Sequence, residues 1–159
     1  MILAYVGSGK GKTTVGLGVA LRAWGLGYRV LVAFMMKTPF YMGEEVGEYK
    51  ALRRLGIDVV TPEEFGNPQA MWDSVLEVLD SYDLALLDEF NYAVRQRSIA
   101  PGEVLRLRGI KPHVLVTGNH LWPELADAAD LAACQRKPGE GESFTRRVAD
   151  ADVVVLRSV

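Results

Sequence analysis

Residues 5–18 read YVGSGKGKTTVGLG, directly after the apolar start MILA. A β-rich run over residues 2–6 enters a glycine-rich turn, and the turn ends in Lys12-Thr13-Thr14, where a helix-like stretch begins. A phosphate chain needs several N–H groups converging on it, and side chains block that approach, so glycine is favoured. Gly7, Gly9 and Gly11 meet this need, with Ser8 and Lys10 between them. A helix starting near Thr13 adds unpaired N–H groups and the positive end of its dipole. Lys12 then reaches the phosphates as a point charge, the Thr13 hydroxyl binds Mg²⁺, and Thr14 completes the cradle. Lys10 supplies a second cation in the loop. An ordinary glycine-rich turn would explain the glycines but not Lys-Thr-Thr at the helix start. The strict spacing G-x-x-x-x-G-K-S/T would place its first glycine at Val6, whereas the glycine present is Gly7. The stretch therefore reads as a shortened phosphate loop.

Outward from the loop, strand-like runs recur at residues 2–6, 29–36, 57–60, 84–88, 113–117, 131–134 and 152–157. Most are continuous apolar runs without polar alternation, the pattern of strands covered on both faces. Helical patterns lie between them at residues 14–24, 45–55, 68–82, 101–107 and 123–129. The first stops at Gly25 and Gly27, and the last two carry Pro near their first position, where its missing N–H costs little. Alternating β and α elements predict an α/β, P-loop NTPase-like three-layer fold, with a mainly parallel sheet flanked by helices. Ligands in such folds sit beyond the carboxyl ends of the strands. Val6, Met36, Asp88 and Thr117 close four of the runs, so one crevice is expected there.

Two stretches point to the same crevice. DLALLDEF at residues 83–90 is an apolar strand ending in Asp88-Glu89. Phosphate-loop proteins hold Mg²⁺ through such a strand-end acid. Asp88 is expected to hold the ion through water, and Glu89 to contact it directly or orient a nucleophile. In VLVTGNHLWPEL at residues 114–125, Thr117-Gly118 ends a strand, and Gly118 allows close backbone approach. His120 reads as a surface or packing residue and Trp122 as core or interface.

The 159 residues fit one domain, 1–159, with 49% apolar and 24% charged residues and a formal charge of −2. That balance gives no general basic face for nucleic acid. The single Cys134 excludes an intrachain disulfide and a cysteine metal cluster. Neither a signal peptide nor a run of roughly 18 apolar residues is apparent, so no membrane association is expected and the reading is cytoplasmic. The segment RKPGEGESFTRR, residues 136–147, reads as a polar loop.

Together these stretches resemble the ATP:corrinoid adenosyltransferases, which convert cob(I)alamin or its precursors to the adenosyl form. GSGKGKTT is similar to that family's shortened loop, including its early first glycine. The resemblance continues through GEYKALRRLG, through Phe65 and Trp72, and through YDLALLDEFNYAV, VLVTG and PELADAADL. The family's QFxKG is AFMMK-Thr38 here, its TGR is TGN with Asn119, and its RPVKHP-like end is replaced. The resemblance implies that ATP is a substrate whose 5′ carbon is attacked by the cobalt(I) of a corrinoid co-substrate, releasing tripolyphosphate. It implies residues 7–14 as triphosphate binders, Lys12, Thr13 and Glu89 as the catalytic set, and Thr13, Asp88 and Glu89 around Mg²⁺ or Mn²⁺. It also implies a homodimer supplied by a reductase partner. Met35, Met36, Phe40, Tyr41, Met42 and Phe65 form either a corrinoid-facing patch or core and interface packing. Two other readings of the same residues stay open: a P-loop ATPase or kinase of other specificity, and a non-catalytic ATP-binding regulator.

Overall fold

A computed structural model of the chain describes residues 1–134 and the backbone of residues 153–154. Six parallel strands form the sheet: β1 (Ile2–Val6), β2 (Val30–Phe34), β5 (Asp58–Val60), β6 (Leu84–Asp88), β7 (His113–Thr117) and β8 (Leu131–Cys134). Their order is β5-β2-β6-β7-β1-β8, and β9 (Val153–Val154) adds an antiparallel edge beside β8. Sequence neighbours are joined by helices: α1 (Lys12–Gly25), α2 (Gly47–Arg54), α3 (Pro68–Val78), α4 (Phe90–Arg95) and α5 (Pro123–Ala128). The polar segment 136–147 and most of the expected last strand lie outside the described residues.

The apolar runs of β2 and β6 are continuous because these central strands bury both faces. In β6, Ala85 and Leu87 enter one core while Leu84 and Leu86 enter the other. In β2, Leu31 and Ala33 divide from Val30, Val32 and Phe34 in the same way. Successive side chains on a strand point to opposite faces, so one apolar run serves two layers. One layer packs α3, α4 and α5 against the sheet around Trp72, Phe90 and Leu125; the other packs α1 and α2 around Ala20, Ala23 and Leu52. Trp72 and Phe90 meet edge to face at 4.9 Å, and the Trp72 indole N–H donates to Glu103 Oε2 at 2.8 Å.

Several expected boundaries move. The run 29–36 contributes only Val30–Phe34 as strand, and the helix 68–82 ends at Val78 in a 3-10 turn, Leu79–Ser81. Asn67 caps α3, its side-chain oxygen accepting from the Ala70 N–H at 2.9 Å, with Pro68 in the first turn. The stretch Pro101–Leu107 is a 3-10 helix rather than an α-helix. Besides the short 3-10 turn Pro62–Glu64, a hairpin and one α-helix have no counterpart in the sequence reading. The first is a hairpin of β3 (Phe40–Tyr41) and β4 (Glu44–Glu45), turned by Met42 at φ 52° and Gly43 at φ 82°. Positive φ at both central residues is the type I′ geometry whose twist suits a two-residue hairpin. The second is α4. Four of its six residues, Phe90, Asn91, Ala93 and Val94, are buried, so it shows no amphipathic stripe to read.

Candidate functional site

The phosphate loop leaves β1 and enters α1 as the sequence predicts. Gly7 and Gly11 lie at positive φ, 117° and 90°, and Gly11 caps α1 in the left-handed region. A side chain there would be strained. The Gly7 N–H donates to the Gly118 carbonyl at 3.1 Å, which ties the loop to the end of β7. Residues 8–14 line one side of a crevice of about 280 Å³, with Glu89, Tyr92 and residues 117–119 opposite. Gly7 stands behind that crevice, its N–H already used. Lys10 is exposed at the loop's tip, while Lys12 is half-buried and donates from Nζ to the Gly9 carbonyl.

The strand-end acids meet the loop across this crevice. β7 lies between β1 and β6, and Thr117 at its end joins the two sides. The Thr117 hydroxyl donates to Asp88 Oδ1 at 2.6 Å and accepts from the Glu89 N–H at 3.0 Å. Asp88 is fully buried, and its Oδ2 accepts from the Thr13 hydroxyl at 3.2 Å. Glu89 adopts φ 60° at the start of α4. A left-handed non-glycine residue costs on the order of 1–3 kcal/mol and concentrates at functional sites. The turn holds the Glu89 carboxyl on the crevice wall. Burial raises its pKa above the ordinary carboxylate value, against the opposing pull of the Lys37 ammonium.

Lys37 is the member of this cluster without a sequence-derived role. Its Nζ lies 2.7 Å from Asp88 Oδ2, 2.8 Å from the Thr13 hydroxyl and 3.7 Å from Glu89 Oε1. The motif AFMMK contains it, but a lysine three residues past a strand carries no mark of its destination. The donor set formed by Thr13, Asp88 and Glu89 is all oxygen, with two carboxylates. Mg²⁺ is usually held by one or two carboxylates plus substrate phosphates, so this set fits that ion. No larger group of His, Cys, Asp and Glu that would hold a metal exists among the described residues.

Behind the crevice, Asn91 is buried and donates from Nδ2 to Asn119 Oδ1; His120 Nδ1 lies 2.9 Å from the same nitrogen. His120 is thus a partner in a polar cluster, and Trp122 is core, its indole N–H donating to the Pro101 carbonyl at 3.2 Å. A Cβ on Gly118 would fall 2.0 Å from the Asn91 amide, so the close approach expected at Gly118 is to a side chain behind the site. Gly118→Ala should cost about 1–3 kcal/mol in a denaturant melt, as overpacking does. Adding Asn91→Ala should recover most of that loss. A single variant as stable as the unaltered protein would contradict this packing.

The six apolar candidates separate. Met35 is fully buried and Phe65 packs on the larger core, so both are structural. Met36, Phe40 and Tyr41 line a second groove of about 320 Å³, together with Phe34, Val46 and Tyr49. Phe40, Tyr41 and Met42 are exposed on the hairpin. Lys37 lines this groove too.

The fold and the loop define a P-loop α/β protein. A structure of flagellar accessory protein FlaH from Methanocaldococcus jannaschii shares the fold, with a TM-score of 0.60 at 13% identity over 84% of this chain and 69% of that one. The family model for ATP:corrinoid adenosyltransferase BtuR/CobO/CobP matches residues 1–137, and the chain belongs to that family. It is 29% identical to the corrinoid adenosyltransferase of Escherichia coli K12, over 84% of this chain and 74% of that protein. It is 28% identical to the corrinoid adenosyltransferase of Pseudomonas aeruginosa, over 82% and 71%.

Proposed function

We propose that this chain transfers the 5′-deoxyadenosyl group of ATP to the cobalt(I) of a reduced corrinoid and releases tripolyphosphate. The observation that carries the reading is convergence. The loop, Asp88-Glu89 and residues 117–119, three blocks of a chain matched by the family over residues 1–137, line or support one crevice. In this step a cobalt–carbon bond forms at C5′ and the C5′–O bond breaks, with its electron pair leaving on tripolyphosphate. Such a nucleophile needs no general base, so the protein's task is to position the reactants and stabilise the leaving charge. Residues 8–14 hold the triphosphate and Lys12 neutralises its charge. Thr13, Asp88 and Glu89 hold Mg²⁺ or Mn²⁺, which supplies further charge stabilisation on the phosphate oxygens. Gly7 supports this work by fixing the loop to Gly118.

The groove beside the hairpin receives the corrinoid: it is apolar, opens next to the phosphate crevice and shares Lys37 with the ion site. The exposed Met42 adds a soft, adaptable side chain to its rim. In the same reading the chain is a single nucleotide-binding domain. It works as a cytoplasmic homodimer, with a reductase delivering the reduced corrinoid and with no nucleic-acid or membrane partner. No helix among the described residues is long and apolar enough to cross a membrane.

The test is an anaerobic reaction with ATP, Mg²⁺ and chemically reduced cobalamin, followed by visible spectrum and phosphate analysis. Adenosylcobalamin and tripolyphosphate are expected in equal amounts. ADP with orthophosphate, or a phosphorylated acceptor, would instead identify an ATPase or kinase. Tight ATP binding without any product would identify a regulator.

A further inference from the structure

A buried carboxylate must be paired or its ionisation becomes costly. Asp88 has no exposed side-chain surface, and the cation beside it is Lys37, whose own side chain is 27% exposed. Lys37 reaches Asp88 and the Thr13 hydroxyl at 2.7 and 2.8 Å, with the Glu89 carboxylate at 3.7 Å. These are the three side chains assigned above to the divalent ion. Two of the three ammonium N–H donors are therefore spent on the oxygens a metal would need. A divalent ion and an ammonium cannot share that space, because like charges a few ångström apart repel strongly where water is scarce.

We propose that Lys37 is an exchangeable counter-ion. It holds Thr13 and Asp88 in their metal-binding positions while the site lacks nucleotide, and it is displaced when the divalent ion arrives with ATP. Its partial exposure gives it a way out, and the apolar groove it also lines lies alongside. The consequence is an order of binding. The protein oxygens alone do not capture a metal against the resident ammonium, so the ion enters with the triphosphate, whose oxygens complete its coordination. The inference rests on the metal assignment of the proposed function.

Mn²⁺ serves as the probe, with its free concentration read by electron paramagnetic resonance in the absence of corrinoid. Without nucleotide, Lys37→Met is expected to bind Mn²⁺ about tenfold or more tightly than the unaltered protein, within the roughly 5- to 150-fold range of couplings between bound groups. Lys37→Gln, which keeps a hydrogen-bond donor without the charge, should shift in the same direction. Adding Asp88→Asn should abolish the gain. A lysine with a merely structural role would loosen the site on removal, not tighten it. Equal Mn²⁺ affinity in both Lys37 variants and the unaltered protein would overturn the counter-ion role. Mn²⁺ uptake by the unaltered protein with ATP, in excess of that by ATP alone and reduced in Asp88→Asn, keeps the metal assignment standing even then. No uptake with ATP would remove that assignment and this proposal with it.

Discussion

Replacing Lys12 with alanine is expected to lower adenosyl transfer by about 10²–10³-fold while leaving the fold intact. The magnitude is that of removing one preorganised donor aimed at charge that develops during reaction. Lys12 opens α1 directly after the left-handed Gly11, so its backbone is fixed by the loop rather than by its own side chain. Its Nζ contacts only the Gly9 carbonyl among the hydrogen bonds described, which leaves donors to turn on a phosphate. Half-buried and away from both cores, it contributes little to packing, and the melting temperature should move by no more than a surface substitution does. The variant should also bind ATP more weakly, as read by calorimetry. Lys12→Arg should recover only part of the activity, since a planar fork cannot replace a compact point charge in a tight loop. Unchanged ATP affinity and turnover in Lys12→Ala would remove the loop from the mechanism. Lost turnover with a collapsed melt would make the residue structural instead.

The parts of this architecture that were readable from sequence are those whose signal is local. Glycine, lysine and threonine at fixed offsets announce the loop, because a backbone cradle constrains the residues that form it. The central strands announce themselves by unbroken apolar runs, since both faces are covered. What escaped is what the third dimension assembles. The helix α4 is six residues long and mostly buried, so its pattern cannot be told from a continuation of the strand before it. The hairpin turns on Met42 and Gly43, although Asn-Gly is the usual signature of that geometry. Asn91 and Gly118 are 27 positions apart and each looks ordinary alone; only the order β6-β7 brings them together. Lys37 is the most consequential case. It lies 24 residues from Thr13 and 51 from Asp88, and no spacing rule connects them. The parallel pairing of β2 with β6, with Phe34 opposite Asp88, delivers it to the site. The same register places Met35 in the core, its N–H donating to the Asp88 carbonyl at 3.0 Å, and leaves Met36 at the groove. Adjacent methionines that look alike in sequence therefore divide between the core and the groove wall.

Asp88→Ala is expected to lower both stability and activity, and the two losses separate by remedy. The carboxylate accepts from Thr117, Thr13 and Lys37, so its removal takes the acceptor from two hydroxyl groups and leaves Lys37 with only the Thr13 hydroxyl and the more distant Glu89 carboxylate at 3.7 Å. Breaking a buried ion pair by deleting one partner costs about 3–5 kcal/mol. The partial exposure of Lys37 lets water reach the stranded ammonium, which places the cost near the lower end, about 3 kcal/mol. For a chain of 159 residues that corresponds to a fall of roughly 6–12 °C in melting temperature. Asp88→Asn keeps the shape and one acceptor, so it should lose about half as much. It still lacks the charge that balances Lys37 and helps hold the ion. Its activity should therefore fall about as far as that of Asp88→Ala, even at temperatures where the fold is complete. Two measurements divide these effects: a thermal melt without ligand, and turnover across a Mg²⁺ titration at low temperature. If activity followed stability through both variants, Asp88 would be a structural anchor for Thr117, Thr13 and Lys37. If the asparagine variant is nearly as stable as the unaltered protein yet inactive, the carboxylate serves the ion. The Thr117 hydroxyl then links the two acids: it donates to the buried Asp88 at 2.6 Å and accepts from the Glu89 N–H at 3.0 Å, so the group that fixes one carboxylate also fixes the turn that carries the other.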